Sequence, residues 1–381
     1  MAKASETSVH KGLAGVVAGT TEISMIDEAT SSLTYRGYPV QELATSCSFE
    51  EVAYLLWYGD LPTESQLEAF GSRERATRTL NRGTLEVLRR IPESTHPMDV
   101  LRTAISHLGS DDPAEDDPSL PAQHAMAEAM MARLPTVVAA DHRRRHGLET
   151  INPDPELGLA ANFFHMCFGE VPEPEVVRAF EVSLILYAEH SFNASTFAGR
   201  VVASTRSDIY SSVTACIGAL KGSLHGGANE QVMFMLEEIG TADRAAEWVQ
   251  RALDDGLKIM GFGHRVYKHG DSRVPTMMAA LERMADIRGA GELMDLVRAV
   301  EEAVMERTGI YPNLDYPSGP AYRLMGFDIP AFTPLFAMAR MIGWTAHIVE
   351  QKEEDALIRP LSEYVGRERR PVPVPAQREG D

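Results

Sequence analysis

Apolar residues recur along most of this chain at the three-and-four spacing of amphipathic helices. In residues 174–190, Pro174 suits a first helical turn, and Val177, Phe180, Leu184, Tyr187 and Ala188 then fall on one face. In residues 292–307, Leu293, Leu296, Val297, Val300 and Val304 repeat the pattern. Ser48 with Glu51 forms a capping box ahead of FEEVAYLLWYG, and Thr63 with Gln66 repeats that signal before the next helix. Alternation of period two is scarce. The predicted fold is therefore mainly α, with one or two short hairpins near the N-terminus, for example around residues 22–35.

Between these elements, residues 110–119 (SDDPAEDDPS) read as an acidic loop. Residues 366–381 (GRERRPVPVPAQREGD) read as a Pro-rich, charged tail, extended or frayed. No internal repeat of about 20–50 residues is visible, which weakens a solenoid reading. No interdomain linker stands out, so two domains, if present, are built from non-contiguous segments.

Composition narrows the function classes. The chain has 381 residues, of which 44% are hydrophobic and 24% charged, enough apolar material for a large core. No apolar run approaches the ~18 residues of a membrane span. A formal charge of −19 disfavours a general nucleic-acid binder or an anionic-lipid binder, so an anionic substrate would need locally concentrated cations. Cys47, Cys167 and Cys216 are dispersed and odd in number, which argues for a reducing compartment and against a disulfide scaffold or a cysteine zinc site. The opening MAKASETSVHKG shows no secretory or organellar address, and a cytoplasmic protein is expected.

Three histidines sit in unusual company. His225 lies in KGSLHGGANE and His264 in KIMGFGHRVYKHGDSR, where neighbouring glycines permit close backbone or ligand approach. His190 ends an apolar helix and precedes SFNASTF. Each alone is compatible with an ordinary loop or capping histidine. Arg340 is a second lead, because every neighbour from Leu335 to Trp344 is apolar or glycine. Burying such an arginine is costly unless it meets an anion. Phe336 lies one turn earlier, Arg273 follows His264 by nine residues, and Arg359 sits in ALIRPL. Several such arginines suit a pocket for a small di- or tricarboxylate, and structural ion pairs are the competing explanation. Asp315, in YPNLDYPSGPAY, is flanked by Pro312, Pro317 and Gly319 and is expected on a stiff, non-helical loop, either as a general base or as a turn-forming residue.

Familiar motifs are missing: GFGHRV lacks a dinucleotide-binding third glycine, and GxxxxGK[ST], HExxH and GxSxG do not occur. His142 and His146 have i,i+4 spacing usable by a metal, but the three arginines between them read as a solvated basic helix face.

In the order LTYRGYPVQELA, SFEEVAYLLWYGDLP, HPMDVLRTAISHLG, LYAEHSFNASTFAGRVV, LHGGANE, MGFGHRVYKHGDSR, PNLDYPSGPAYRLMGF, FTPLFAMARMIGW and LIRPLSEY, the chain resembles the citrate synthases from residue 12 to residue 366. Within that family it is similar to bacterial citrate and 2-methylcitrate synthases. The resemblance implies a helical two-domain fold with the active site in the cleft: a large domain of residues 1–226 and 326–381, and a small domain of residues 227–325. It implies a homodimer that uses oxaloacetate with acetyl-CoA or propionyl-CoA, with no cofactor or metal. Under it, Asp315 takes the α-proton of the acyl-CoA, neutral His225 hydrogen-bonds the thioester oxygen, and His264 polarises the ketone. His190, Arg273 and Arg340 bind the carboxylates, with Phe336 packing beside them, and Arg359 reaches the partner's site. Lys268 meets a CoA phosphate, while Met260, Gly261 and Gly263 contact the adenine end. A proline common before the arginine is Ser272 here. The family core begins near residue 12, so a dimer without NADH control is expected. A dedicated 2-methylcitrate synthase is one alternative. A metal-dependent hydrolase using His190, His225, His264 and Asp315 is another, and the arginines argue against it.

Overall fold

The computed structural model describes residues 9–13, 15–222, 224–264, 266–267 and 269–372. Among these are sixteen α-helices and a single three-stranded antiparallel sheet. The mainly α expectation is met, and the hairpin lies where it was expected. Ser24–Asp27 pairs with Ser32–Tyr35, which pairs with Tyr38–Pro39. The tight reversal uses Arg36 and Gly37, both at positive φ, as a two-residue hairpin turn requires. Both expected capping boxes form, at Ser48 with Glu51 and at Thr63 with Gln66.

The central element is the helix Phe332–Glu354. From Phe332 to Val349 it is buried all round, and apolar except for Thr333, Arg340, Thr345 and His347. It packs against Leu120–Arg145, Pro174–Tyr187, Ala194–Ala203, Ile209–Leu220 and Phe49–Tyr58. Gly343 permits the closest of these approaches: a Cβ there would stand 2.4 Å from the carbonyl oxygen of Ala188 and 2.4 Å from Glu189 Oε2.

Around the end of Pro174–Tyr187 the chain is held from several sides. The buried Tyr35 hydroxyl donates to the carbonyls of Ile185 and Glu189 at 3.1 and 3.0 Å. Ser191 takes a left-handed φ of 50°. Its N–H donates to Ser24 Oγ at 3.1 Å and also to Glu189 Oε1. Such a backbone costs of order 1 kcal/mol and persists where the surroundings fix it. His190 sits between these anchors.

Asp315 departs from expectation. It opens the helix Asp315–Leu324 rather than lying on a loop. Pro317 falls in the first turn, where the missing N–H is no loss. Pro320 lies further inside the helix. The prolines that suggested a stiff loop are compatible with a short helix.

The body of the molecule is Thr21–Leu357, and the terminal segments form a separate compact unit. In that unit only Lys11–Leu13 is regular among the described residues. Val17, Leu361, Val365 and Val372 are close to nine-tenths exposed there. No helix among the described residues is long and apolar enough to cross a membrane.

Candidate active site

Asp315 is half-buried, and its carboxylate Oδ1 accepts the phenolic hydrogen of buried Tyr187 at 2.6 Å. Burial disfavours its charged form and pushes it up to about 6, even though the Tyr187 hydrogen bond and Arg273 pull the other way. The segment before it is fixed by a short antiparallel pairing. Gly263 N donates to Tyr311 O, and Asn313 N donates to Gly261 O, both at 2.9 Å. This brings His264 and Asp315 together from positions fifty residues apart in sequence. Gly261 is needed for it: φ is +82°, and a Cβ would meet Val232 at 2.6 Å.

Two histidines are fixed as tautomers by main-chain donors. His225 Nε2 faces the N–H of Ser195 at 3.3 Å and the Ser195 hydroxyl at 2.8 Å. A main-chain N–H only donates, so Nε2 accepts and the ring hydrogen sits on Nδ1. The serine is itself directed. Trp344 Nε1, a donor only, gives its hydrogen to Ser195 Oγ at 3.0 Å. Asn193 Oδ1 caps the helix Ala194–Ala203, accepting from the N–H groups of Ser195 and Thr196 at 3.1 Å each and from the Ser195 hydroxyl at 2.7 Å, which holds the serine against His225. Burial, then the charge of Arg340, pushes His225 down to about 4, so it is a neutral donor.

His264 is fixed in the opposite sense. Its Nδ1 accepts from the N–H groups of Val266 and Tyr267 at 3.1 and 3.2 Å, which places the hydrogen on Nε2. His190 Nε2 lies 3.1 Å from the Tyr267 hydroxyl, and its ring meets that of His264 edge-on at 5.0 Å. Burial first, then Arg273, His264 and Arg340, drive His190 well below its ordinary value, so it too is neutral.

Two buried arginines join this group. Arg273 closes on Asp271 through Nε and a terminal amine at 2.9 and 2.7 Å. Asp271 also accepts from the N–H of Leu314 at 3.3 Å, so it links the arginine to the turn before Asp315. Arg340 gives Nε to the carbonyl of Tyr187 at 2.6 Å and stacks over Phe336 at 4.8 Å. Its two terminal amines donate no hydrogen bond to the described residues. They form a fork of the kind that binds a carboxylate in two places. Beside His264, a recess of about 240 Å³ is lined by Gly263, Tyr267, Gly270, Asp271, Ile310 and Tyr311 among others.

A neutral imidazole donor, a raised carboxylate and two arginines in one place suit enolisation of a carbonyl compound beside a bound carboxylate. The family model described as citrate synthase, C-terminal domain, matches residues 12–361. The chain belongs to the citrate synthase family. It is 61% identical over 362 residues to the citrate synthase of Mycolicibacterium smegmatis, covering 95% of this chain and 96% of that one. It is 60% identical over 365 residues to a 2-methylcitrate synthase of Mycobacterium tuberculosis, covering 96% and 92%. Among solved structures, the citrate synthase of Thermoplasma acidophilum in ternary complex with carboxymethyl coenzyme A and oxaloacetate matches with a TM-score of 0.92 at 32% identity, covering 97% of this chain and 100% of that one. The citrate synthase of Pyrobaculum aerophilum matches with a TM-score of 0.90 at 40% identity, covering 97% and 95%. The fold is the helical citrate synthase fold.

In this citrate synthase fold, contacts among the described residues bring together His190, His225, His264, Arg273, Asp315, Phe336 and Arg340, with Gly261 and Gly263 in the adjoining strand-like segment and Met260 preceding them. Arg359 lies exposed in the terminal unit. Lys268 falls outside the described residues. Ser272 keeps its place through its carbonyl, which accepts from Gln41 Nε2 at 3.0 Å. Sequence reasoning missed Tyr187, Ser195, Tyr267, Asp271 and Trp344 as members of the site. Ser195 carried a faint signal, since NAS before an apolar run marks a helix start.

Proposed function

We propose that this chain condenses an acyl-CoA thioester with oxaloacetate, forming citrate from acetyl-CoA and 2-methylcitrate from propionyl-CoA. The observation that carries this reading is the pairing of a carboxylate pushed up to about 6 with a neutral histidine whose hydrogen is held on Nδ1. The α-proton of a thioester is weakly acidic, and its removal needs a positioned base and a donor at the developing enolate oxygen. Asp315 takes that proton. The electron pair moves toward the thioester oxygen, which His225 Nδ1–H stabilises as enol character develops. The enol carbon attacks the ketone of oxaloacetate, and His264 Nε2–H supports the oxygen that becomes a hydroxyl. Water then cleaves the citryl- or methylcitryl-CoA thioester, releasing the product carboxylate and the CoA thiol.

In this reading His190, Arg273 and Arg340 hold the oxaloacetate carboxylates, and Phe336 packs beside them. Met260, Gly261, Gly263 and Lys268 meet CoA. The site lies between a large domain of residues 1–226 and 326–381 and a small domain of residues 227–325. A homodimer in which Arg359 serves the partner's site accounts for an exposed arginine in a unit whose valines and leucines are also exposed. The metal-dependent hydrolase reading finds no support. His225 and His264 each give one ring nitrogen to main-chain N–H groups, and two arginines stand among the supposed ligands.

Acetyl and propionyl groups differ by one methylene, worth only ~1–3 kcal/mol of discrimination, so activity with both esters is expected. The test is thiol release from acetyl-CoA and propionyl-CoA with and without oxaloacetate. Release that requires oxaloacetate supports condensation, and a strong preference for propionyl-CoA would make the chain a dedicated 2-methylcitrate synthase. Absence of release with either ester, from folded protein, would overturn the proposal.

A further inference from the structure

One cluster of ligating side chains takes no part in this chemistry. The helix Leu120–Arg145 and its C-cap end in the run Asp141, His142, Arg143, Arg144, Arg145, His146. The arginines do not form the free basic face that the sequence suggests. Arg144 and Arg145 both close on Asp141, at 2.6 and 2.7 Å. They also donate to the carbonyls of Ile91, Glu93 and Thr95. Arg143 donates to the carbonyls of Glu149 and Cys167. The two imidazoles remain together one turn apart, their ring centroids 4.5 Å from each other. Opposite them stands Asp328, in the connection between the helices Asp315–Leu324 and Phe332–Glu354. One ligating atom from each of His142, His146 and Asp328 lies within 4.8 Å of the others.

The hydrogen bonds of His146 decide what this cluster suits. Its Nδ1 is 2.8 Å from the carbonyl oxygen of His142, which can only accept, so Nδ1 carries a hydrogen. In the neutral ring Nε2 then presents a lone pair, and it faces Asp328 Oδ2 at 2.9 Å. Two acceptors in contact need either a second ring hydrogen or a cation between them. A ring nitrogen anchored on a carbonyl is also how proteins orient a ligating histidine. The helix C-terminus adds its negative dipole end, which favours a bound cation, and the chain carries a net charge of −19.

We propose that His142, His146 and Asp328 form a site for a divalent transition ion of the zinc type, with water completing the coordination. Bonds of about 2.0–2.1 Å put tetrahedral ligand atoms roughly 3.3 Å apart, so the cluster must tighten slightly. His146 and Asp328 are exposed and can move by that amount. The ion would tie the connection between the Asp315 helix and the Arg340 helix to the end of Leu120–Arg145.

The experiment titrates full-length, chelator-treated protein with zinc chloride by calorimetry, with magnesium chloride as the control. The expected result is one saturating equivalent of zinc with a Kd of about 10 µM or tighter, no magnesium response, and a melting temperature that rises with zinc. His146→Ala and Asp328→Asn should each weaken zinc binding by roughly 10–100-fold. Both side chains are exposed, so the metal-free melting temperatures should stay near wild type. Absence of saturable zinc binding would overturn the proposal. So would binding that both variants leave unchanged, which would put the ion elsewhere. A doubly protonated His146 paired with Asp328 predicts the first of these results.

Discussion

The phenol of Tyr187 donates to Asp315 Oδ1 at 2.6 Å, while the carbonyl of the same residue accepts from Arg340 at 2.6 Å. One residue thus joins the proposed base to the proposed carboxylate clamp. The hydrogen bond favours the ionised form of Asp315, which burial opposes. Activity should fall as pH drops through about 6, because the base is then protonated. In Tyr187→Phe the stabilising bond is gone, and the acid limb of kcat/KM should move up by roughly one to two pH units, since a hydrogen bond to a charged group is worth about 1.5–3 kcal/mol. A pH–rate profile with an unmoved limb would contradict this.

Trp344 acts on His225 through Ser195. Its indole N–H donates to Ser195 Oγ at 3.0 Å and holds that serine 2.8 Å from His225 Nε2. Trp344→Phe removes that donor and loosens the serine against which His225 is seated. The expected outcome is a kcat reduced roughly tenfold, the size of about 1.4 kcal/mol, with little change in KM for oxaloacetate. Steady-state kinetics with both substrates varied will read the split.

Arg340→Lys keeps the charge but loses the two-pronged geometry. KM for oxaloacetate should rise by one to two orders of magnitude, about 1.4–2.8 kcal/mol, and the ratio of activities with acetyl-CoA and propionyl-CoA should stay the same. A variant with wild-type KM would remove Arg340 from the carboxylate site.

Stability should have a window set by the network behind His190. Glu189 and His347 are fully buried and meet at 2.9 Å, and Glu350 bonds Arg200 at 2.6 Å and the N–H of Glu22 at 2.8 Å. Burial alone would raise Glu350, but His347, Glu22 and Arg200 bring it down to about 2. A lowered carboxyl stabilises above its unfolded value of about 4.5, and that contribution is lost as pH falls toward 2. Burial opposes a charge on His347, but Glu189 and the Glu350 hydrogen bond together raise it, so its contribution is present below about 6.5 and is lost as pH rises through its folded value. Melting temperature should therefore be highest between these limits. Glu350→Gln should flatten the acid side, as read by thermal melts across pH.

Much of this was legible in the chain. The helices declared themselves through period and capping boxes, and Arg340 was visible because a charge amid apolar residues needs a reason. The ordered family segments carried His190, His225, His264, Arg273 and Asp315. What the sequence hid depends on long-range meetings. Tyr187 reads as one more member of an apolar helix face, and its hydroxyl finds Asp315 from 128 residues away. Trp344 likewise reads as core. The pairing of Gly261 and Gly263 with residues 311–313 has no local signature, because neither segment alternates. The helix that Asp315 opens is hidden locally, since prolines in a short helix look the same in sequence as prolines in a loop.

The central claim is that Asp315 is the base in an oxaloacetate-dependent condensation. Its most direct test compares wild type with Asp315→Asn for thiol release and for oxaloacetate binding by calorimetry. Turnover should fall by roughly 10²–10⁴-fold while oxaloacetate affinity stays within a few fold, because the carboxylate clamp is intact. An asparagine variant that turned over at the wild-type rate would contradict the claim.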